Sequence, residues 1–396
     1  MADFLYEPVK WNTDYKDPFR FDDPLLFKKM MLESVTHNAS DVFIQANLPI
    51  LLLVQGRIVS LTERPIDEME VRSMIRWAGG RDTAETQISQ GEAVNARYEC
   101  FATNERDEKG SRLRHAWRVN ISPIQSESDT SAQIVMRPIP GMPPLPKEVG
   151  LSDEIVEQMT PKDGIVYVAG ATGSGKTRTF ASIIRAILEG DTNIKGNIIT
   201  HEEPIEYSYS GIKSKHSVIA QSQIPIHFPT FYDANREAMR RHPVLILVGE
   251  MRDEETIRAA VEAALTGHTV FATVHAVNVA TVMRRMISRF PEREREAAVF
   301  DILETARVIM AQRLVRGLDG KLLALREWLV FDKKVREQLQ GLEKVTLLTQ
   351  KLDSLLHSHG HPFEADIEDL ARQGRIDAQA VRREMKALGA IDDGGN

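Results

Sequence analysis

Gly170-Ala171-Thr172-Gly173-Ser174-Gly175-Lys176-Thr177 fits the pattern G-x-x-x-x-G-K-[ST] at every fixed position. No other segment constrains the fold as much, because such a loop needs a buried strand before it and a helix after it. The sequence supplies both. Ile165-Val166-Tyr167-Val168 has strand character, and a helical pattern runs over 176–188. Gly170, Gly173 and Gly175 allow the backbone to turn its N–H groups toward one point, and the helix start adds the positive end of its dipole. The segment therefore predicts a nucleoside triphosphate site formed by Gly170, Ala171, Thr172, Gly173, Ser174, Gly175, Lys176 and Thr177. In it Lys176 reaches the β- and γ-phosphates of ATP and the Thr177 hydroxyl ligates Mg²⁺.

Strand and helix alternate around this loop. Strands are expected at 164–169, 197–200, 244–248 and 269–273, with helices at 176–188, 233–241 and 254–265. Nearly continuous β-branched and leucine runs between helices indicate an α/β domain with a parallel sheet covered on both faces. From 333 onward the pattern is mostly helical. There Val381, Met385 and Leu388 form an apolar stripe, and Asp377 is placed as an N-cap.

The segment before about residue 139 reads as a mixed α/β domain. Helical spacing covers 24–35, and strand-like runs begin at 41–44, 50–54, 116–121 and 133–136. A polar loop is expected at 125–131 and an exposed hairpin tip at 105–111. Five prolines in the nine residues from Pro138 to Pro146 favour a stiff, extended connector. The expected organisation is an arm at 1–25, a domain at 26–137, a linker at 138–149, a nucleotide-binding domain at 150–332 and a helical region at 333–396. The arm is acidic and aromatic (Phe4, Tyr6, Trp11, Tyr15, Phe19, Phe21) and lacks the pattern of a secretory signal.

Composition narrows the class of partner. A net charge of −7 over 396 residues argues against nucleic acid as the main partner. Cys100 is the only cysteine, so no intramolecular disulfide or multi-cysteine metal site is possible, which fits a reducing cytoplasm. Cys100 is expected to be a small buried packing residue. Apolar runs such as 50–54 and 244–248 are too short to span a membrane.

Three further segments carry candidate chemistry. The run Val244-Leu245-Ile246-Leu247-Val248 delivers Glu250 to the sheet edge, where a carboxylate orients or deprotonates the attacking water, or holds magnesium through water. Many phosphate-loop enzymes place an aspartate just before that glutamate, but here the position is Gly249. The turn His201-Glu202-Glu203-Pro204-Ile205-Glu206 is the source expected to supply the missing carboxylate. Glu202 is assigned to Mg²⁺, directly or through water, and Glu206 to the nucleotide site. In Thr266-Gly267-His268-Thr269-Val270-Phe271-Ala272-Thr273-Val274-His275, two histidines bracket an apolar strand. His275 is expected to sense the γ-phosphate, and His268 is assigned to the same site.

In this order the glycine-rich loop, the E-E-P-I-E turn, V-G-E-M-R-D and T-G-H…T-V-H resemble the secretion ATPase superfamily, which includes pilus retraction motors and type II and type IV secretion ATPases. Ala39-Ser40-Asp41, Trp117-Arg118-Val119-Asn120 and Met136-Arg137-Pro138-Ile139-Pro140 extend the resemblance upstream. It implies a homo-hexamer with a PAS-like N-terminal α+β domain and a RecA-like C-terminal ATPase domain, docked on inner-membrane machinery. It further implies that Arg118 and Arg137 neutralise γ-phosphate charge. Gln221-Ser222-Gln223-Ile224-Pro225 and Ala324-Leu325-Arg326-Glu327-Trp328-Leu329-Val330-Phe331 are most similar to ATPases of type IVB secretion and conjugation systems. The stretch 333–339 lacks the A-I-R-N-L-I-type helix of retraction motors. A pilus retraction motor is the second reading, and a nucleic-acid translocase the third.

Overall fold

The computed structural model describes residues 6–10, 17–80, 83–106, 110, 112–125, 130–139, 141–339, 341–342 and 345–390. Phe4, Trp11, Tyr15, Pro140, most of the 105–111 tip and most of the 125–131 loop lie outside the described residues. The chain divides into two compact units, Met1–Gly141 and Met142–Asn396.

The first unit is built on six antiparallel strands: β1 (Asp41–Ile44), β2 (Leu51–Val54), β3 (Arg57–Ser60), β4 (Val94–Arg106), β5 (Arg112–Gln125) and β6 (Thr130–Ile139), in the order β3-β2-β1-β6-β5-β4. Two-residue alternation sends Trp117, Val119 and Ile121 of β5 into a core with Phe27, Met30 and Met74 of the helices Pro24–Thr36 and Glu68–Gly79. Arg118 and Asn120 belong to the opposite face. Cys100 is buried in the same core, which pushes its thiol up to about 11.

The connector begins later than expected. Pro138 and Ile139 continue β6, opposite Trp117 and Ala116 of β5. On the other side β1 reaches only as far as Met136, so the missing N–H of Pro138 costs no ladder bond there. The last proline, Pro146, opens a short 3₁₀ turn, Pro146–Val149, rather than continuing an extended run. Its fixed φ suits the first position of a helical turn.

The second unit carries seven strands: β7 (Gly164–Ala169), β8 (Asn197–Glu202), β9 (Val218–Gln223), β10 (Pro243–Val248), β11 (Thr269–Val274), β12 (Ala306–Arg316) and β13 (Leu322–Val330), in the order β13-β12-β7-β11-β10-β8-β9. All neighbours are parallel except the β12–β13 pair. Both faces are covered. Val166, Val168 and Phe271 pack on Phe180, Ile183 and Ile187 of the helix Lys176–Glu189. Ile165, Tyr167, Val270 and Val248 face the helices Phe231–Ala238, Glu254–Leu265 and Val279–Ile287.

The helical tail completes this core. Leu348, Leu352 and Leu355 of Val345–His359, with Phe363 and Ile367 of Phe363–Arg372, are buried among residues of the sheet-covering helices. Among the described residues no helix is long and apolar enough to cross a membrane.

Candidate nucleotide site

Because β7, β8, β10 and β11 run parallel, the residues that follow them emerge at one rim of the sheet. After β7 comes the glycine-rich loop, and Gly175, at φ +88°, caps the helix that starts at Lys176. A side chain at Gly170 would have its Cβ 2.4 Å from the Gln312 carbonyl oxygen, so only glycine fits there. Lys176 Nζ donates to the carbonyls of Gly170 (2.8 Å) and Ala171 (3.0 Å), which sets the ammonium inside the loop. Burial lowers its pKa, while the charges of Glu250 and Glu206 act in the opposite sense. The loop and both carboxylates therefore share one electrostatic neighbourhood.

Glu202, the last residue of β8, is 4% exposed. Its carboxylate accepts from Thr200 Oγ1 (2.6 Å), from Gln221 Nε2 (3.1 Å) and from the Glu206 backbone N–H. Burial raises its pKa despite these bonds. A carboxylate so enclosed by donors is suited to orienting water and less suited to direct ligation of a cation.

Glu250 lies just past β10. Its Oε1 is 3.1 Å from His275 Nε2, and its Oε2 is 2.6 Å from Arg252 Nη2. Arg252 also reaches Glu203 Oε2 at 3.2 Å, so it bridges two acidic segments. His275 follows β11, and burial, then the Lys176 charge, lowers its pKa, which favours the neutral imidazole near pH 7. Thr273 Oγ1 donates to the Gly249 carbonyl and ties the ends of β10 and β11 together. Gly249 has a packing reason: a Cβ there would lie 2.8 Å from the His201 carbonyl oxygen and 3.3 Å from Glu202 Cα. The aspartate common at this position has no room.

His268 needs correction. It precedes β11, and its carbonyl accepts from the Gly164 N–H at the start of β7. The six residues of β11 separate it from the phosphate rim by about 20 Å at the usual rise per strand residue. Its Nδ1 lies 3.0 Å from the Ala263 carbonyl, where it closes the C-terminus of the helix Glu254–Leu265. Arg118 and Arg137 belong to the first unit, directly opposite each other across β5 and β6. Arg137 Nε donates to Asp41 Oδ1 at 2.9 Å.

Residues that the sequence did not single out also shape the rim. Arg252 sits in the V-G-E-M-R-D motif, two residues from Glu250, and that proximity was the available signal. Gln221 carries no local signal for its bond to Glu202, because it comes from the next strand. A cleft of about 1250 Å³ opens beside the helix start, lined in part by Val149, Gly150, Gly175, Arg178, Thr179 and Leu314. Among the described residues no cluster of three His, Cys, Asp or Glu side chains could cage a metal. One threonine hydroxyl with nearby carboxylates fits magnesium, which keeps waters and phosphate oxygens as ligands.

The family described as Type II/IV secretion system protein matches residues 21–345. Among solved structures, the ATPase DotB of Yersinia pseudotuberculosis is 45% identical, with a TM-score of 0.79 over 97% of this chain and 99% of that one. DotB of Legionella pneumophila is 37% identical, with a TM-score of 0.84 over 94% of this chain and 98% of that one. The pilus retraction motor PilT, with bound ADP, is 27% identical, with a TM-score of 0.75 over 92% of this chain and 98% of that one.

Proposed function

This chain belongs to the type II/IV secretion system protein family and is an ATPase, and we propose that it is a hexameric cytoplasmic motor of a type IVB secretion or conjugation machine. The observation that carries this reading is the greater identity to the two DotB ATPases than to the retraction motor, over nearly the whole chain. On this reading 26–137 is a PAS-like domain and 150–332 a RecA-like domain. The motor is recruited to the inner-membrane face through protein contacts.

Lys176 binds the β- and γ-phosphates, and the nucleoside occupies the cleft beside Thr179 and Leu314. Thr177 would hold Mg²⁺, with Glu202 acting through water, and the ion supplies neutralising charge to the phosphate oxygens. Glu250 orients the attacking water and accepts its proton, while His275 and Arg252 fix the two carboxylate oxygens. Arg118 and Arg137 meet the charge that develops on the γ-phosphate. Opening and closing about the proline-rich segment then turns hydrolysis into force.

Deleting the gene in its host tests the assignment. Loss of protein export or conjugation with twitching intact is expected. The converse pattern establishes the retraction-motor reading, which the PilT resemblance supports. DNA-stimulated turnover with steep salt dependence would point instead to a translocase. At the site, Arg118→Ala is expected to lower turnover by about 10³-fold while nucleotide binding is kept.

A further inference from the structure

β12 runs beside β7 with Ala311 opposite Ala169, so Gln312 emerges next to the first residue of the phosphate loop. Gln312 is 3% exposed and all of its side-chain polar atoms are engaged. Its Nε2 donates to the Ser174 carbonyl at 2.5 Å, inside the loop. Its Oε1 accepts from Thr179 Oγ1 at 2.7 Å, on the first turn of the helix, and from Arg326 Nε at 2.9 Å. The fit is steric as well. A Cβ at Gly170 would strike the Gln312 carbonyl oxygen, and one at Gly175 would lie 2.8 Å from Gln312 Nε2. Two of the loop's glycines thus rest on this single residue.

Arg326 carries the connection onward. It stands directly opposite Gln312 in the β12–β13 register and is 4% exposed. Its Nη2 donates to the Val149 carbonyl at 2.7 Å and its Nη1 to that of Gly150 at 3.4 Å, where the chain enters the second unit's fold. Its backbone N–H donates to Asp366 Oδ2 at 2.9 Å, on the helix Phe363–Arg372. Burial pushes the guanidinium down to about 10, and the Asp366 charge opposes this, so it remains a cation at neutral pH. Its Nη2 also lies 3.4 Å from Thr179 Oγ1, and a buried cation that spends its donors on main-chain carbonyls, a glutamine and a threonine hydroxyl is expensive unless the geometry it fixes is needed.

We propose that Gln312 and Arg326 are positioning residues of the nucleotide site, which hold the phosphate loop in its binding shape by fastening it to Val149 and Gly150. Neither residue touches the reacting atoms. Gln312 fixes the carbonyl of Ser174 on one side of the loop and Thr179 on the other, which sets where the intervening N–H groups point. Arg326 holds Gln312 and the Val149–Gly150 backbone in the same frame. Displacement of that backbone is thereby transmitted to the loop. Glu250 and His275 come from β10 and β11, outside this frame, so the effect falls on nucleotide binding more than on the chemical step.

The inference rests on the phosphate-site reading, and Lys176→Ala serves as the control for it. Gln312→Glu keeps an acceptor for Thr179 and Arg326 but turns an oxygen toward the Ser174 carbonyl. Affinity for a fluorescent ADP analogue, and KM for ATP, are expected to worsen about tenfold, with kcat within about threefold of wild type. Thr179→Val removes the hydroxyl and is expected to weaken binding about fivefold, while Thr179→Ser restores it to within about twofold. A purely structural role would lower Tm in these variants and leave the affinity of the folded protein unchanged. The proposal is overturned if Gln312→Glu and Thr179→Val bind within about twofold of wild type while Lys176→Ala loses binding, or if Thr179→Ser fails to rescue. Should Lys176→Ala bind normally, the phosphate-site reading falls and this inference with it.

Discussion

At the carboxyl ends of β7, β8, β10 and β11 the chain gathers Lys176, Glu202, Glu250 and His275. At the amino ends of the same sheet it places Asp163, His268 and Arg307. The residue types are alike, but the arrangements are not. At the amino rim each group satisfies its neighbour: Arg307 pairs with Asp163, and His268 closes a helix terminus. At the carboxyl rim the groups converge from four strands: the Glu250 charge acts on Lys176, and the charges of Lys176 and Glu250 both act on His275. Strand direction therefore decides which histidine of β11 reaches the rim of the glycine-rich loop, since a parallel sheet collects its loops at one end.

The largest expected effect comes from Lys176→Ala. Removing the only cation inside the loop should cut ATP turnover at least 10²–10³-fold, read by phosphate release. Turnover near the wild-type rate would dissolve the distinction between the rims.

Next in size is a pH effect that marks where the functional rim gives way to core. His201 lies one residue before the end of β8, but it is buried, its Nδ1 lies 2.7 Å from Asn235 Oδ1, and its Nε2 lacks a hydrogen-bond partner among the described residues. Burial lowers its pKa to about 4. Between that value and the ordinary 6.5 the unfolded chain binds more protons, so stability rises with pH and is fully present above about 6.5. Toward pH 4 this term should remove about 3 kcal/mol, measured by urea unfolding across that range. His201→Gln should flatten the slope, and an unchanged slope would reassign the titration.

The two histidines of β11 give the smallest and sharpest contrast. His275→Ala should slow turnover about tenfold or somewhat more by freeing one oxygen of Glu250. Because its pKa is lowered, wild-type activity should persist as pH falls through 6.5 and decline only further into acid. His268→Ala should leave turnover within about twofold and cost at most about 1 kcal/mol of stability. Equal kinetic losses at both positions would erase the comparison.

The loop and its flanking elements were legible because buried parallel strands read as unbroken apolar runs, and the helix Glu254–Leu265 has the bounds its pattern suggests. β9 was not legible: Val-Ile-Ala-Gln-Ser-Gln is an edge strand whose glutamines turn inward to bond the Glu202 region. β12 carries Gln312 and Arg313 in mid-strand, which breaks the apolar run that marks its neighbours. His268 was misassigned because a bracketed strand shows two ends without showing which faces the phosphates. Gln312 lies 138 residues from the carbonyl it holds, a separation that no local pattern can report.

The most direct test is Glu250→Gln, with phosphate release and nucleotide affinity measured on the same protein. The proposed mechanism separates binding, assigned to the loop, from activation of water, assigned to Glu250. Turnover should fall about 10²–10³-fold while affinity for a fluorescent ATP analogue stays within about threefold. Turnover close to wild type, or binding lost in step with turnover, would contradict that separation.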